Sequence, residues 1–312
     1  MKVLTSIWEK QRTLTSFLAI VVIISAMFFI TIKVVGQKAY FLAQFYMLTP
    51  TLAAIIVRAF IHPQRFEDAH LKFGQLKDYL VFWCTALGIT LIIFIVYTLT
   101  GAVTWDFTGS AFLKQLEQYI VSTGKTMEES LPKGVTPTMM LLTYFFGGLT
   151  VLNIFPGVIT GFAEEFGWRG LMFPELYKIS PFAGFIIGGL IWFLWNAPMA
   201  LIIPMPAELK LWETTGNIIV LGIGSVCTFI FLAYVYIKTR NIWVVSITHM
   251  TLNNSSHAFM YYCVMKNQLL ANTMLSLTMA GIVLVLYFTG EHKVFEEYFG
   301  KHGESLSKFG LK

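Results

Sequence analysis

Charge is what this sequence has least of. Only 12% of its 312 residues are Asp, Glu, Lys or Arg, while 56% are hydrophobic and the mean hydropathy is +0.68. A soluble domain carries about twice that charged share. So few charges cannot cover a globule on all sides, which argues against a soluble fold. Cysteine is scarce as well. Cys84, Cys227 and Cys263 each stand inside an apolar run, too widely spaced for a zinc knuckle or a disulfide framework. The net charge of +5 comes without a basic stripe interleaved with aromatics, so nucleic acid is not an expected partner. Internal repeats and low-complexity segments are also missing.

What the chain does have is long apolar runs. A membrane-crossing helix needs about 20 mostly apolar residues. Eight runs qualify: Leu14–Ile32, Tyr40–Ile61, Tyr79–Thr100, Met139–Thr160, Phe182–Pro204, Asn217–Ile237, Ile242–Val264 and Leu269–Thr289. They predict an all-α, polytopic transmembrane bundle of about eight helices. The first run follows Lys2, Lys10 and Arg12, is longer than a signal-peptide core, and ends at Lys33 without a cleavage site, so it reads as a retained span. Most Lys and Arg crowd into alternate connections: the N-terminal tail, Arg58 to Lys77, Arg169 and Lys178, Lys238 and Arg240, and the tail after Thr289. This bias predicts both termini in the cytoplasm. In the loop Gly101–Pro137, Phe112, Leu113, Leu116, Tyr119 and Ile120 recur at helical spacing and predict a short amphipathic helix. The tail from Glu291 to Lys312 is expected to form a solvated or interfacial helix. The chain divides into N-terminal spans with the outer loop (1–138), a central set of spans (139–265), and a last span with its tail (266–312).

Ionisable groups inside membrane spans are expensive and point to function. Here they cluster in two places. In Gly161-Phe162-Ala163-Glu164-Glu165-Phe166-Gly167-Trp168-Arg169-Gly170, Glu165 and Arg169 are four apart, acid before base, the favourable order for a helical ion pair. Glu164 is turned about 100° away, so one carboxylate can be neutralised while the other is left as a candidate general base. A charged helix end at the interface is the plainer account. In the seventh run, His249 and Asn253 share a face about 6 Å apart and can donate two hydrogen bonds to an oxyanion. An interhelical hydrogen bond is the plainer account there. His257 lies about 12 Å from His249 along the helix, too far to share one ion, and reads as structural. In the fifth run Asn196 is the strongly polar side chain, either bridging helices or capping before Pro198.

Together these pieces resemble the CAAX protease and bacteriocin-processing family, intramembrane proteases of the Abi type. That family carries Glu-Glu-x-x-x-Arg, Phe-x-x-x-His and His-x-x-x-Asn or Asp on successive membrane helices. Glu164-Glu165-Phe166-Gly167-Trp168-Arg169 and His249-Met250-Thr251-Leu252-Asn253 match in full, and the motif region spans roughly 141–264. The second motif departs, with Trp192 at its Phe position and Asn196 at its His position. The resemblance implies Glu164 as the base, Glu165 as the partner of Arg169, and His249 with Asn253 on the oxyanion side. Asn196 can hydrogen-bond a water but cannot take up a proton.

The resemblance further implies a bacterial integral membrane endopeptidase, cutting a peptide or membrane-protein substrate near the cytoplasmic side with activated water. Members have been called metalloproteases. A zinc site takes three or four His, Cys or carboxylate ligands, and with Asn at 196 the motifs supply only a Glu and His249, so no cofactor or bound metal is expected. Two alternatives stay open. Asn196 suits an impaired member acting as an immunity or scaffold protein. A transporter fits less well, because the polar residues do not form an inverted pair at the midplane.

Overall fold

The computed structural model describes residues 11–35, 43–122, 124–150, 154–202 and 211–308. Lys2 and Lys10, the start of the second apolar run at Tyr40, and the end of the fifth at Pro204 lie outside the described residues. Helices run in the order α1 (Arg12–Val35), α2 (Ala43–Tyr46), α3 (Thr49–Phe60) and α4 (Leu76–Leu99). A strand β1 (Val103–Trp105) follows, then α5 (Ser110–Ser122), α6 (Met127–Ser130), α7 (Pro137–Leu149) and α8 (Ile154–Gly167). Next come a π-helical turn over Trp168–Met172, α9 (Phe173–Ile179), a second π turn over Ala183–Ile187, and α10 (Gly188–Ile202). The chain closes with α11 (Leu211–Thr239), α12 (Ile242–Met260), β2 (Cys263–Met265), α13 (Gln268–Phe288) and α14 (Lys293–Lys308).

Among the described residues, α1, α4, residues 214–239 of α11, and α13 are long and apolar enough to cross a membrane. Their unpacked faces remain apolar, as lipid contact requires; Val22, Ile23, Met27 and Ile30 of α1 all project outward. The protein is therefore an integral, multi-pass, predominantly helical membrane protein. The other apolar runs correspond to shorter or more polar helices. The fourth run is not one helix. It breaks after Gly147-Gly148-Leu149, where Thr150 turns to an extended conformation, and two adjacent glycines weaken a helix at that point. The seventh run also stops early, because Cys263–Met265 leave the helix to pair antiparallel with β1, Val103 opposite Met265 and Trp105 opposite Cys263. Among the described residues, this two-stranded ribbon is the exception to the all-α expectation. It joins the loop after α4 to the loop before α13. The amphipathic helix expected in the 101–137 loop is α5, and the tail helix is α14.

Helix α12 lies at the centre, packed against α4, α7, α8 and α11. Asn241 caps its first turn by accepting from the backbone N–H of Trp243 and Val244, and its amide reaches across to the Lys72 carbonyl. Thr90 of α4 and Ser255 of α12 share a buried hydrogen bond of 2.7 Å. Glycines permit the close approaches around α8. Gly161 rests on the Ser246 carbonyl of α12, and Gly167 rests on Pro50 of α3. A Cβ at Gly167 would stand 2.5 Å from the Pro50 side chain and carbonyl. Gly167→Ala is therefore expected to cost about 1–3 kcal/mol through overpacking. A thermal melt of the purified variant in detergent reads this directly, and an unchanged midpoint would show that α3 yields freely.

Candidate active site

The site is built where α8 passes into the π turn, against α10 and α12. Glu165 near the end of α8 and Arg169 in the π turn are four residues apart, and Arg169 Nη1 donates to Glu165 Oε1 at 2.7 Å. From α12, His249 Nδ1 stands 2.7 Å from the same oxygen, in ion-pair range but off the line of a well-formed hydrogen bond. Glu165 is thus shared between two bases. Glu164 faces α10 instead, and its Oε2 accepts from Trp192 Nε1 at 3.1 Å. Neighbouring positions in the chain give the two carboxylates different partners, as the 3.6-residue period dictates.

Trp192 links all of these groups. Its indole N–H holds Glu164, its ring face lies 4.8 Å from the Arg169 guanidinium, and the His249 ring packs on its edge at 5.6 Å. Phe229 of α11 covers Arg169 from another side at 4.3 Å. Stacking on two rings suits the planar, weakly hydrated guanidinium. Glu164, Glu165, Arg169 and His249 are 2%, 0%, 0% and 3% exposed, so the site is closed to bulk water in this conformation.

The remaining candidates are placed differently. Asn196 donates from Nδ2 to the carbonyl of Trp192, one turn back on its own helix, at 3.0 Å. It neither bridges helices nor caps, since α10 continues through Pro198 to Ile202. Asn253 is exposed on α12, one turn beyond His249, and His257 is exposed a turn further on. Glu165, Arg169 and His249 therefore meet directly, Glu164 joins them through Trp192, and Asn196 is turned toward its own backbone. Among the described residues, no three His, Cys, Asp or Glu side chains stand together as metal ligands. Glu165 is already occupied by Arg169 and His249, so the donor set does not fit a metal.

In the sequence Trp192 stands out only as a motif position. Its signal was present: a buried Trp must find an acceptor for its N–H, and Phe at that position has none to place. Phe229 had no signal, because nothing in the sequence relates α11 to Arg169.

Fold and site together define a polytopic membrane protein with a buried Glu-Glu-Arg-His cluster at the junction of three helices. Residues 146–255 match the model of the family described as Type II CAAX prenyl endopeptidase Rce1-like, which supports a CAAX/Abi assignment over that part of the chain. No curated protein matches the chain.

Proposed function

We propose that this protein is an intramembrane endopeptidase of the CAAX/Abi type, in which Glu164 activates the attacking water. The observation that carries the reading is the unequal treatment of two adjacent carboxylates. Glu165 is matched by Arg169 and His249, whereas Glu164 accepts from a neutral indole N–H. A carboxylate with no cation bonded to it is the stronger base of the two. Water held by Glu164 gives it a proton and adds as hydroxide to the scissile carbonyl. The proton then passes to the leaving nitrogen as the C–N bond breaks.

The oxyanion needs donors. His249 faces Glu165 through Nδ1, so that nitrogen carries a proton, and Nε2 can donate as well only in the imidazolium. Asn253, a turn away on the same helix, supplies a second donor to a peptide arriving from that side. Because the four central groups are sealed, turnover requires an opening beside Glu164. Substrates are peptides or membrane proteins presented from the bilayer. Both termini and the catalytic side lie in the cytoplasm, and the catalytic segment is 139–265.

Asn196 carries the second reading, a weakened member that binds rather than cuts. Asn196→His introduces a group able to accept a proton next to Trp192. Under the hydrolase reading it is expected to raise cleavage of a farnesylated, internally quenched CAAX peptide by purified protein. An unchanged rate would place position 196 off the reaction path. Cleavage by wild type that persists in Glu164→Gln would remove Glu164 as the base, and no cleavage by wild type would remove the hydrolase reading itself.

A further inference from the structure

A second buried guanidinium stands behind the site. Arg58 of α3 is 1% exposed, in a stretch otherwise apolar from Leu52 to Ile61. An Arg at such a position is costly unless its donors are bound. Nη1 serves the Arg65 carbonyl and the Asp68 carboxylate, and Nη2 serves the Gly170 carbonyl. The guanidinium also lies 5.7 Å over the ring of Phe166. Gly170 follows Arg169 directly and sits in the middle of the π turn. A π turn disrupts the regular helical ladder, and such turns recur at functional sites. Four residues beyond Gly170 stands Pro174, which has no N–H to offer its carbonyl, and Arg58 supplies a donor from α3 instead.

The outer end of the clasp is equally specific. Asp68 accepts from Arg58 through one oxygen and lies 3.0 Å from His62 Nε2 through the other. Burial favours the neutral acid, but His62 and Arg58 outweigh it and hold Asp68 well below the usual carboxylate range. Arg65, which offers its carbonyl, adopts a left-handed backbone at φ 49°, a conformation that a non-glycine residue keeps only when its surroundings impose it.

We propose that Arg58, held by Asp68, is a positioning residue that clamps the Gly170 carbonyl and thereby sets the π turn that brings Arg169 to Glu165 and Glu165 to His249. Its catalytic meaning rests on the hydrolase reading, but its geometric content does not. Arg58 touches none of the reacting groups and acts through one backbone carbonyl. A loop contributed by residues 61–75 is thereby tied to the centre of the cluster.

The test uses full-length protein labelled with ¹⁵N-histidine in detergent micelles. The His249 ring resonance is assigned by its disappearance in His249→Gln. Arg58→Ala is expected to shift that resonance while the circular dichroism spectrum stays helical, and Arg58→Lys is expected to restore it in part. Asp68→Asn, which leaves Arg58 in place but loosens it, is expected to give a smaller shift, and it decides the question if Arg58→Ala does not fold. A His249 resonance unmoved in the folded variants overturns the clamp. On the farnesylated quenched peptide, Arg58→Ala is expected to lower kcat on the order of 100-fold with KM little changed, as for a misplacement of about 1 Å. If wild type does not cleave the peptide, the hydrolase reading fails while the resonance shift still decides the clamp.

Discussion

Glu164→Gln is expected to reduce peptide cleavage about 100- to 10,000-fold, the range a positioned general base supplies. The substitution is nearly isosteric, and the amide oxygen of Gln can still accept from Trp192 Nε1, so the bond of 3.1 Å has a replacement. What Gln cannot do is take the proton of water. Loss of rate with an unchanged melting temperature therefore isolates the proton-transfer role. Glu165→Gln differs in kind, because it strips a shared partner from Arg169 and His249 at once and should lower stability and rate together. Steady-state cleavage and a melt on the same preparations separate the two. Equal rates for wild type and Glu164→Gln would end the case for Glu164 as the base.

The second large effect is on stability. Arg169→Leu is expected to cost about 3–5 kcal/mol, because it leaves a buried carboxylate short of its main partner. Both members of the pair are 0% exposed, and the guanidinium also gives up its stacking on Trp192 and Phe229. The double variant Glu165→Met with Arg169→Leu should recover most of the loss, since two apolar side chains of similar volume need no desolvation. Activity should not return, because Glu165 also places His249. Denaturant unfolding in micelles measures the cycle. A double variant no more stable than Arg169→Leu alone would show that the pair's role is something other than mutual neutralisation.

The sequence was most legible where period alone decides. Glu165 and Arg169 pair because they are four apart on a helix, and Glu164 diverges because it is one apart from Glu165. The amphipathic helix α5 and the tail helix α14 follow from their spacing of apolar residues in the same way. Legibility failed where local propensity met a tertiary demand. The run Met139–Thr160 is apolar throughout, and hydropathy cannot see that two glycines and a close approach to α12 break it at Thr150. Cys263 and Val264 end an apolar run, but β1, far away in the chain, offers them a ladder. Asn196 looked like a polar group in search of another helix, and it found the backbone of its own.

By itself the sequence determined that this chain lives in a membrane and that Glu164, Glu165, Arg169 and His249 are costly groups there. Composition and spacing are local quantities, and water and lipid act on them residue by residue. Only the tertiary structure decided that Trp192 stands among those four groups, that Phe229 covers Arg169, and that Arg58 reaches the carbonyl behind them. Those contacts join helices that are remote in sequence, and their geometry comes from how glycine-lined faces pack, a property no single segment carries.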